Sequence, residues 1–391
     1  MFRAKTESDR WQNGVILIGG LIVICLVVLY VYVFQSVSKV VTLPAPTGPY
    51  SVGTRAIAMA DPNTKAFRGD GQNRWMIQAF YPSQTRGVLP PYMPDTLSQG
   101  IIHTTQVTAH SHVNSEIKKG PNYPVLFFVP GLGQERQKYT ILCEELASKG
   151  YIVLAFDVPY ISNYVHFPVS GDSITLTLED AWKVPRDRDF RYLYFDEAMI
   201  HVMKLIEFTL TSLKELSKTH FNQQMDLSKL GIIGHSFGGN VAHTLGVKNP
   251  KFSTVVDIDS KITDRKILDR QGPPQNKRDI PVFFIRGMKQ YQDNVGSVLT
   301  SYTNGSLWAP DVEHNVFSDE YYLAKVIDNF GIHSWINWAF AIGPQWSITD
   351  TDSGNIKTDE WIKIYRSKVV SWLQKHLPLK KVSVIDQLFV P

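Results

Sequence analysis

Gly234-His235-Ser236-Phe237-Gly238 places a serine between two glycines, behind the apolar run Leu230–Ile233 and ahead of helix-compatible residues. A G-x-S-x-G at a strand-to-helix junction is the context in which a serine becomes an exposed nucleophile: the turn is tight, and the glycines keep Cβ atoms clear of the crossing chains. The N–H of the next residue, Phe237, opens a helix and so has no partner within it, which suits it to an oxyanion. A serine hydroxyl is a weak nucleophile alone. It needs a base, and the base needs an orienting acid; on a strand–turn–helix elbow these follow in the order Ser, Asp or Glu, His.

Two carboxylates, Asp257 and Asp259, lie at the end of the apolar segment Thr254–Ile258, and strand alternation puts both on one face, so periodicity leaves them tied. Three histidines stand downstream as bases. His314 lies in the turn-like Asp311-Val312-Glu313-His314, His333 in an aromatic stretch, and His376 among lysines in a terminal helical segment. A second oxyanion donor is expected from the loop after an earlier strand, where Gly131-Leu132-Gly133 lets the Leu132 N–H approach a substrate oxygen.

The elements that must position these groups are legible. Trp75–Tyr81, Pro124–Val129, Tyr151–Asp157, Leu230–Ile233, Thr254–Ile258 and Val282–Ile285 read as strands, while Tyr139–Lys149, Tyr194–Leu216, the stretch from Phe237 and Asp359–His376 read as helices. Strands alternating with helices imply an α/β fold with a mostly parallel sheet covered on both faces. The region 87–122, with Pro90, Pro91, Pro94 and Pro121, reads as a surface excursion. It holds His103, His110 and His112, but no acidic or cysteine partner at ligand spacing, so no metal is expected.

Ahead of the domain, Gly14–Phe34 is apolar and uncharged. At about 1.5 Å per residue it reaches about 30 Å, the thickness of a bilayer core. Its length and the poor cleavage signal at Ser36-Val37-Ser38 favour an uncleaved signal anchor over a signal peptide. Arg3, Lys5 and Arg10 precede it and Lys39 alone follows closely, which puts the N-terminus in the cytoplasm and the remainder on the extracytoplasmic side. The expected organisation is a cytoplasmic segment 1–13, a transmembrane helix 14–34, an extended Pro-rich linker 35–50 and a catalytic domain 51–391. The net charge of +4 is scattered, which excludes a nucleic-acid footprint, and Cys25 and Cys143 lie too far apart in context to pair.

Together, PGLG with ELASKGYIVLAFD, GIIGHSFGG, the Asp after VVDI, and His314 to Asp319 (HNVFSD) resemble the platelet-activating factor acetylhydrolase family of α/β-hydrolases, also called lipoprotein-associated phospholipases. TLPAPTGPYSVGTR and AFYPSQ look like bacterial members, and the resemblance runs over most of residues 42–380. It implies the α/β-hydrolase fold, Ser236 as nucleophile, Asp259 as acid, His314 as base, and Leu132 and Phe237 as oxyanion donors. It also implies ester hydrolysis through an acyl-enzyme, on phospholipid-like substrates, without cofactor or metal. Pro130 stands where the animal enzymes carry histidine, a departure that weakens close substrate analogy. Esterase, polyester hydrolase and acyltransferase activities use the same residues, and a catalytically inactive membrane-tethered binding protein is the rival of another class. The Trp-rich segment Trp335–Trp346 suits either a lipid-facing mouth or the core.

Overall fold

A computed structural model describes residues 7–37, 40–68, 71–84, 87–90, 92, 107–176, 188–260, 280–287, 305–309, 312–328 and 356–380. Its centre is a nine-stranded sheet in the order β13-β12-β11-β10-β6-β7-β3-β2-β5. Six strands form a parallel block: β6 (Tyr123–Val129), β7 (Ile152–Asp157), β10 (Met225–His235), β11 (Phe252–Ile258), β12 (Val282–Arg286) and β13 (Gly305–Trp308). On its β7 side an antiparallel pair, β3 (Gln72–Ser83) and β2 (Ser51–Lys65), extends the sheet.

The parallel strands are apolar throughout because both faces are covered. On β6, Val125, Phe127 and Val129 face a core that includes α3 (Arg188–His220) and α4 (Phe237–Lys248). Leu126 and Phe128 face the opposite core, with α2 (Thr140–Ser148), α5 (Asp319–Asp328) and α6 (Thr358–His376). Alternate residues of one strand thus serve two layers of helix, as the βαβ reading requires. Gly150, with φ +100, ends the α2 turn in the left-handed region that glycine tolerates.

Two stretches read as irregular take a defined place. The Pro-rich stretch ahead of the domain is extended, as its composition implies, and its described part lies docked on the domain. β1 (Val41–Thr42) pairs with β4 (Val107–Thr108), Val41 and Leu43 are buried, and Arg366 donates to the Ala45 carbonyl at 3.0 Å. The Thr47 N–H donates to Glu145 at 2.8 Å, and the Tyr50 N–H to the Ser148 carbonyl at 3.2 Å. Proline content reported extended backbone correctly but not the surface it lies on. The described part of the region 87–122 likewise joins the fold: β5 (Ser111–Val113) is the sheet edge beside β2, and His110 and His112 bond the Leu43 and Gly87 carbonyls.

Helix α1 runs Glu7–Val37, and its described side chains, Val15 to Tyr30, are exposed along their length. Among the described residues no helix is long and apolar enough to cross a membrane.

Candidate active site

The elbow is built where β10 ends at His235 and α4 begins at Phe237. Ser236 holds φ 55 and ψ −116, a conformation that costs an L-residue about 1–3 kcal/mol and is found mostly at functional turns. Crowding around it explains the flanking glycines. A Cβ on Gly234 would lie 1.9 Å from the Gly238 carbonyl oxygen, and one on Gly238 would lie 1.9 Å from that of Val129. The second contact matters for chemistry, because it presses the end of β6, and with it the loop carrying Leu132, against the first turn of α4. The Ser236 N–H donates to the Ile258 carbonyl at 2.8 Å, which ties the elbow to the end of β11.

Immediately beyond that bond stands Asp259. It leaves the strand at φ +49, is fully buried, and accepts from His314 Nδ1 at 2.6 Å and from the Gly287 N–H at 2.9 Å. Burial pushes its carboxyl upward, but the His314 bond and charge and the Gly287 N–H outweigh this and hold it below the usual carboxylate range. With Nδ1 donating to a carboxylate, neutral His314 carries its lone pair on Nε2, the form needed to accept a hydroxyl proton. The His314 side chain is 22% exposed, and it begins the 3-10 turn His314–Phe317, whose Val316 and Phe317 are buried.

Asp257 has a different occupation. Arg286 reaches it from β12 with two bonds of 3.1 Å, the Ser260 hydroxyl donates at 2.8 Å, and both charged side chains are buried. The strand alternation that tied the two carboxylates stops at Ile258, since Asp259 has already turned. Of the other histidines, His376 packs its ring 3.9 Å from that of Trp372 on α6, whereas His333 lies outside the described residues, as do His103 and Trp335–Trp346.

Leu132 sits in a turn whose neighbours are engaged: the Gly131 N–H donates to the Tyr139 hydroxyl at 3.1 Å, and the Gly133 N–H to the Ile161 carbonyl at 2.8 Å. Among the described residues the Leu132 N–H donates to no backbone carbonyl. The Phe237 N–H belongs to the first turn of α4, and the Phe237 ring meets Phe195 edge-on at 5.1 Å. Two residues outside the sequence reading complete the floor. His235 is buried between Tyr139 and the His314 carbonyl, and Arg286 neutralises Asp257. Nothing local in sequence marks either, because each partner comes from a distant segment.

The arrangement can carry out acyl transfer: a strained serine, an acid–histidine pair at the neighbouring strand end, and two amides at the same edge. Among the described residues no group of three metal-binding side chains occurs.

The family described as "Platelet-activating factor acetylhydrolase, isoform II" matches residues 35–163, a stretch that includes Leu132 and ends before Ser236. The chain is 24% identical over 253 residues to a "Probable 1-alkyl-2-acetylglycerophosphocholine esterase" of Arthroderma benhamiae, covering 58% of this chain and 60% of that protein. To the platelet-activating factor acetylhydrolase of Gallus gallus it is 24% identical over 386 residues, covering 87% and 84%. It thus spans under two thirds of the fungal relative but most of the avian one. A solved ferulic acid esterase from Streptomyces cinnamoneus shares the fold, with a TM-score of 0.68 at 21% identity over 88% of this chain and 97% of that one. On these matches the chain is similar to members of the platelet-activating factor acetylhydrolase family.

Proposed function

We propose that the protein is a serine hydrolase of carboxylic esters, acting on acyl chains of phospholipid-like substrates. The observation that carries this reading is the 2.6 Å Asp259–His314 contact beside a serine held at positive φ. Ser236 attacks the ester carbonyl as His314 takes its proton, and Asp259 holds the imidazole and stabilises the imidazolium. The N–H groups of Leu132 and Phe237 bind the tetrahedral oxyanion, each lowering the barrier by about 3 kcal/mol. The alcohol leaves with the proton from His314, and water, activated by the same base, releases the acid. The names of the relatives support an acetylated phospholipid as the substrate type.

Residues 14–34 are read as a signal anchor, with the N-terminus cytoplasmic and the domain extracytoplasmic. The support is the sequence run and the sixteen-residue described face of α1, Val15 to Tyr30, whose large apolar side chains are exposed. Such a surface in water would aggregate.

The test is a fluorophosphonate probe together with p-nitrophenyl esters of increasing chain length. Labelling at Ser236 that disappears in Ser236→Ala is expected; a parent protein that neither labels nor turns over esters ends the hydrolase reading. A reporter fused after Gln35 that proves cytoplasmic overturns the orientation.

A further inference from the structure

His235 lies within the serine motif, yet its side chain is turned into the protein, where it is 1% exposed. Both ring nitrogens are engaged. Nε2 is 3.0 Å from the carbonyl oxygen of His314, and Nδ1 is 2.7 Å from the Tyr139 hydroxyl. The Tyr139 hydroxyl in turn accepts the Gly131 N–H at 3.1 Å, one residue before the proposed oxyanion donor Leu132. The rings of His235 and His314 are 4.7 Å apart.

The protons in this chain can be assigned. A carbonyl oxygen only accepts, so Nε2 of His235 carries the hydrogen that faces His314. In a neutral ring Nδ1 is then bare and accepts from Tyr139. Gln134 Oε1 also approaches that hydroxyl, but Tyr139 has a single proton. Giving it to Gln134 would set the bare Nδ1 against the lone pairs of the Tyr139 oxygen, or Nε2 against a carbonyl, or demand a second proton, whereas donation to Nδ1 asks only that the Gln134 amide turn its NH₂ toward the hydroxyl. Burial, and next the His314 charge, push His235 down to about 3, so the second proton is absent at neutral pH. Neutrality suits the position: a cation here would oppose the imidazolium that forms on His314.

We infer that His235 is a positioning residue which, through Tyr139, locks the Leu132 loop and the backbone of His314 to each other. The donor loop and the base come from different ends of the chain, after β6 and after β13. His235 sits on the strand between β6 and β11 and bonds toward both sides. Ser236, the next residue, is thereby held in register with oxyanion donor and base together. This inference rests on the hydrolase reading above.

The experiment measures kcat and KM on p-nitrophenyl acetate for the parent, His235→Phe, His235→Gln, Tyr139→Phe and the His235→Phe/Tyr139→Phe double variant, with thermal melts alongside. His235→Phe is expected to lower kcat roughly 10- to 100-fold with KM nearly unchanged, as a misplaced reacting group does. His235→Gln, whose Nε2 can still donate to the His314 carbonyl, should recover part of that loss, and the double variant should be no slower than His235→Phe because both act through one bridge. Should His235→Phe not fold, Tyr139→Phe and His235→Gln carry the test: the first must lower kcat and the second must retain more of it. A kcat within twofold of the parent in His235→Phe or Tyr139→Phe overturns the inference, as does a loss confined to KM or additive losses in the double variant. A parent without turnover or Ser236 labelling fails the hydrolase reading itself, whereas an active parent with indifferent variants fails only the bridge.

Discussion

Asp257 and Asp259 stand two residues apart on the same strand end, both fully buried, and they serve different purposes. Asp257 faces the planar guanidinium fork of Arg286 through two parallel bonds. Asp259 faces an imidazole and one backbone N–H. The first pair is closed on both sides and can only hold β11 to β12. The second includes a partly exposed ring that can gain and lose a proton. The difference arises from one backbone angle, since φ +49 turns Asp259 out of the strand toward the loop that carries His314. A fold can therefore place a lock and a reactive pair almost side by side without the two competing for partners.

The contrast is sharpest when the groups are removed in turn. Loss of the nucleophile itself sets the scale: Ser236→Ala should reduce kcat by on the order of 10⁶-fold, measured on p-nitrophenyl acetate. Asp259→Asn should lower kcat about 10⁴-fold by allowing the wrong imidazole tautomer. Its thermal midpoint should fall by only a few degrees, the share due to the lost carboxylate, and by less than in Asp257→Asn; an equal or larger fall would mean that the Asp259 pair is also the main lock of the fold. Asp257→Asn should behave oppositely. It strands a buried guanidinium, so urea unfolding should show a loss of about 3–5 kcal/mol, while the folded fraction keeps kcat within a few-fold. If the joint Asp257→Leu/Arg286→Leu protein is no more stable than Asp257→Asn, the account of an uncompensated charge is wrong.

A subtler distinction comes from acid. Because the Asp259 carboxyl lies below its unfolded value, its stabilisation is fully present above about pH 3.9 and is lost as pH falls through the folded value. Each unit of depression contributes about 1.4 kcal/mol. Urea midpoints measured from pH 5 to pH 2 should thus fall less steeply in Asp259→Asn than in the parent. Equal slopes would show that the His314 contact does not favour the ionised carboxylate.

Sequence periodicity reached the fold more completely than the site. Buried parallel strands appear as apolar runs such as Tyr123–Val129, and α2 appears as a helical stretch stopped by Gly150, because each signal is local. The elbow is local too, and the crowding at Gly234 and Gly238 is the physical content of the glycines in the motif. What separates Asp257 from Asp259 is not local. It depends on Arg286 one strand away and on a turn that alternation does not anticipate, so only the family resemblance favoured Asp259. The same holds for His235, whose partners Tyr139 and His314 lie far from it in sequence. The β-hairpin of β8 (Tyr164–Phe167) and β9 (Asp172–Thr175) also escaped, since its strands are short.

The docked segment that begins at Val41 has a consequence for reach. Helix α1 ends at Val37 and the domain's own structure starts at Val41, so full extension of the intervening backbone allows only about 14 Å. On the signal-anchor reading proposed above, so short a tether would hold the domain close to the lipid surface, and esters carried in the same membrane would be met at high effective concentration.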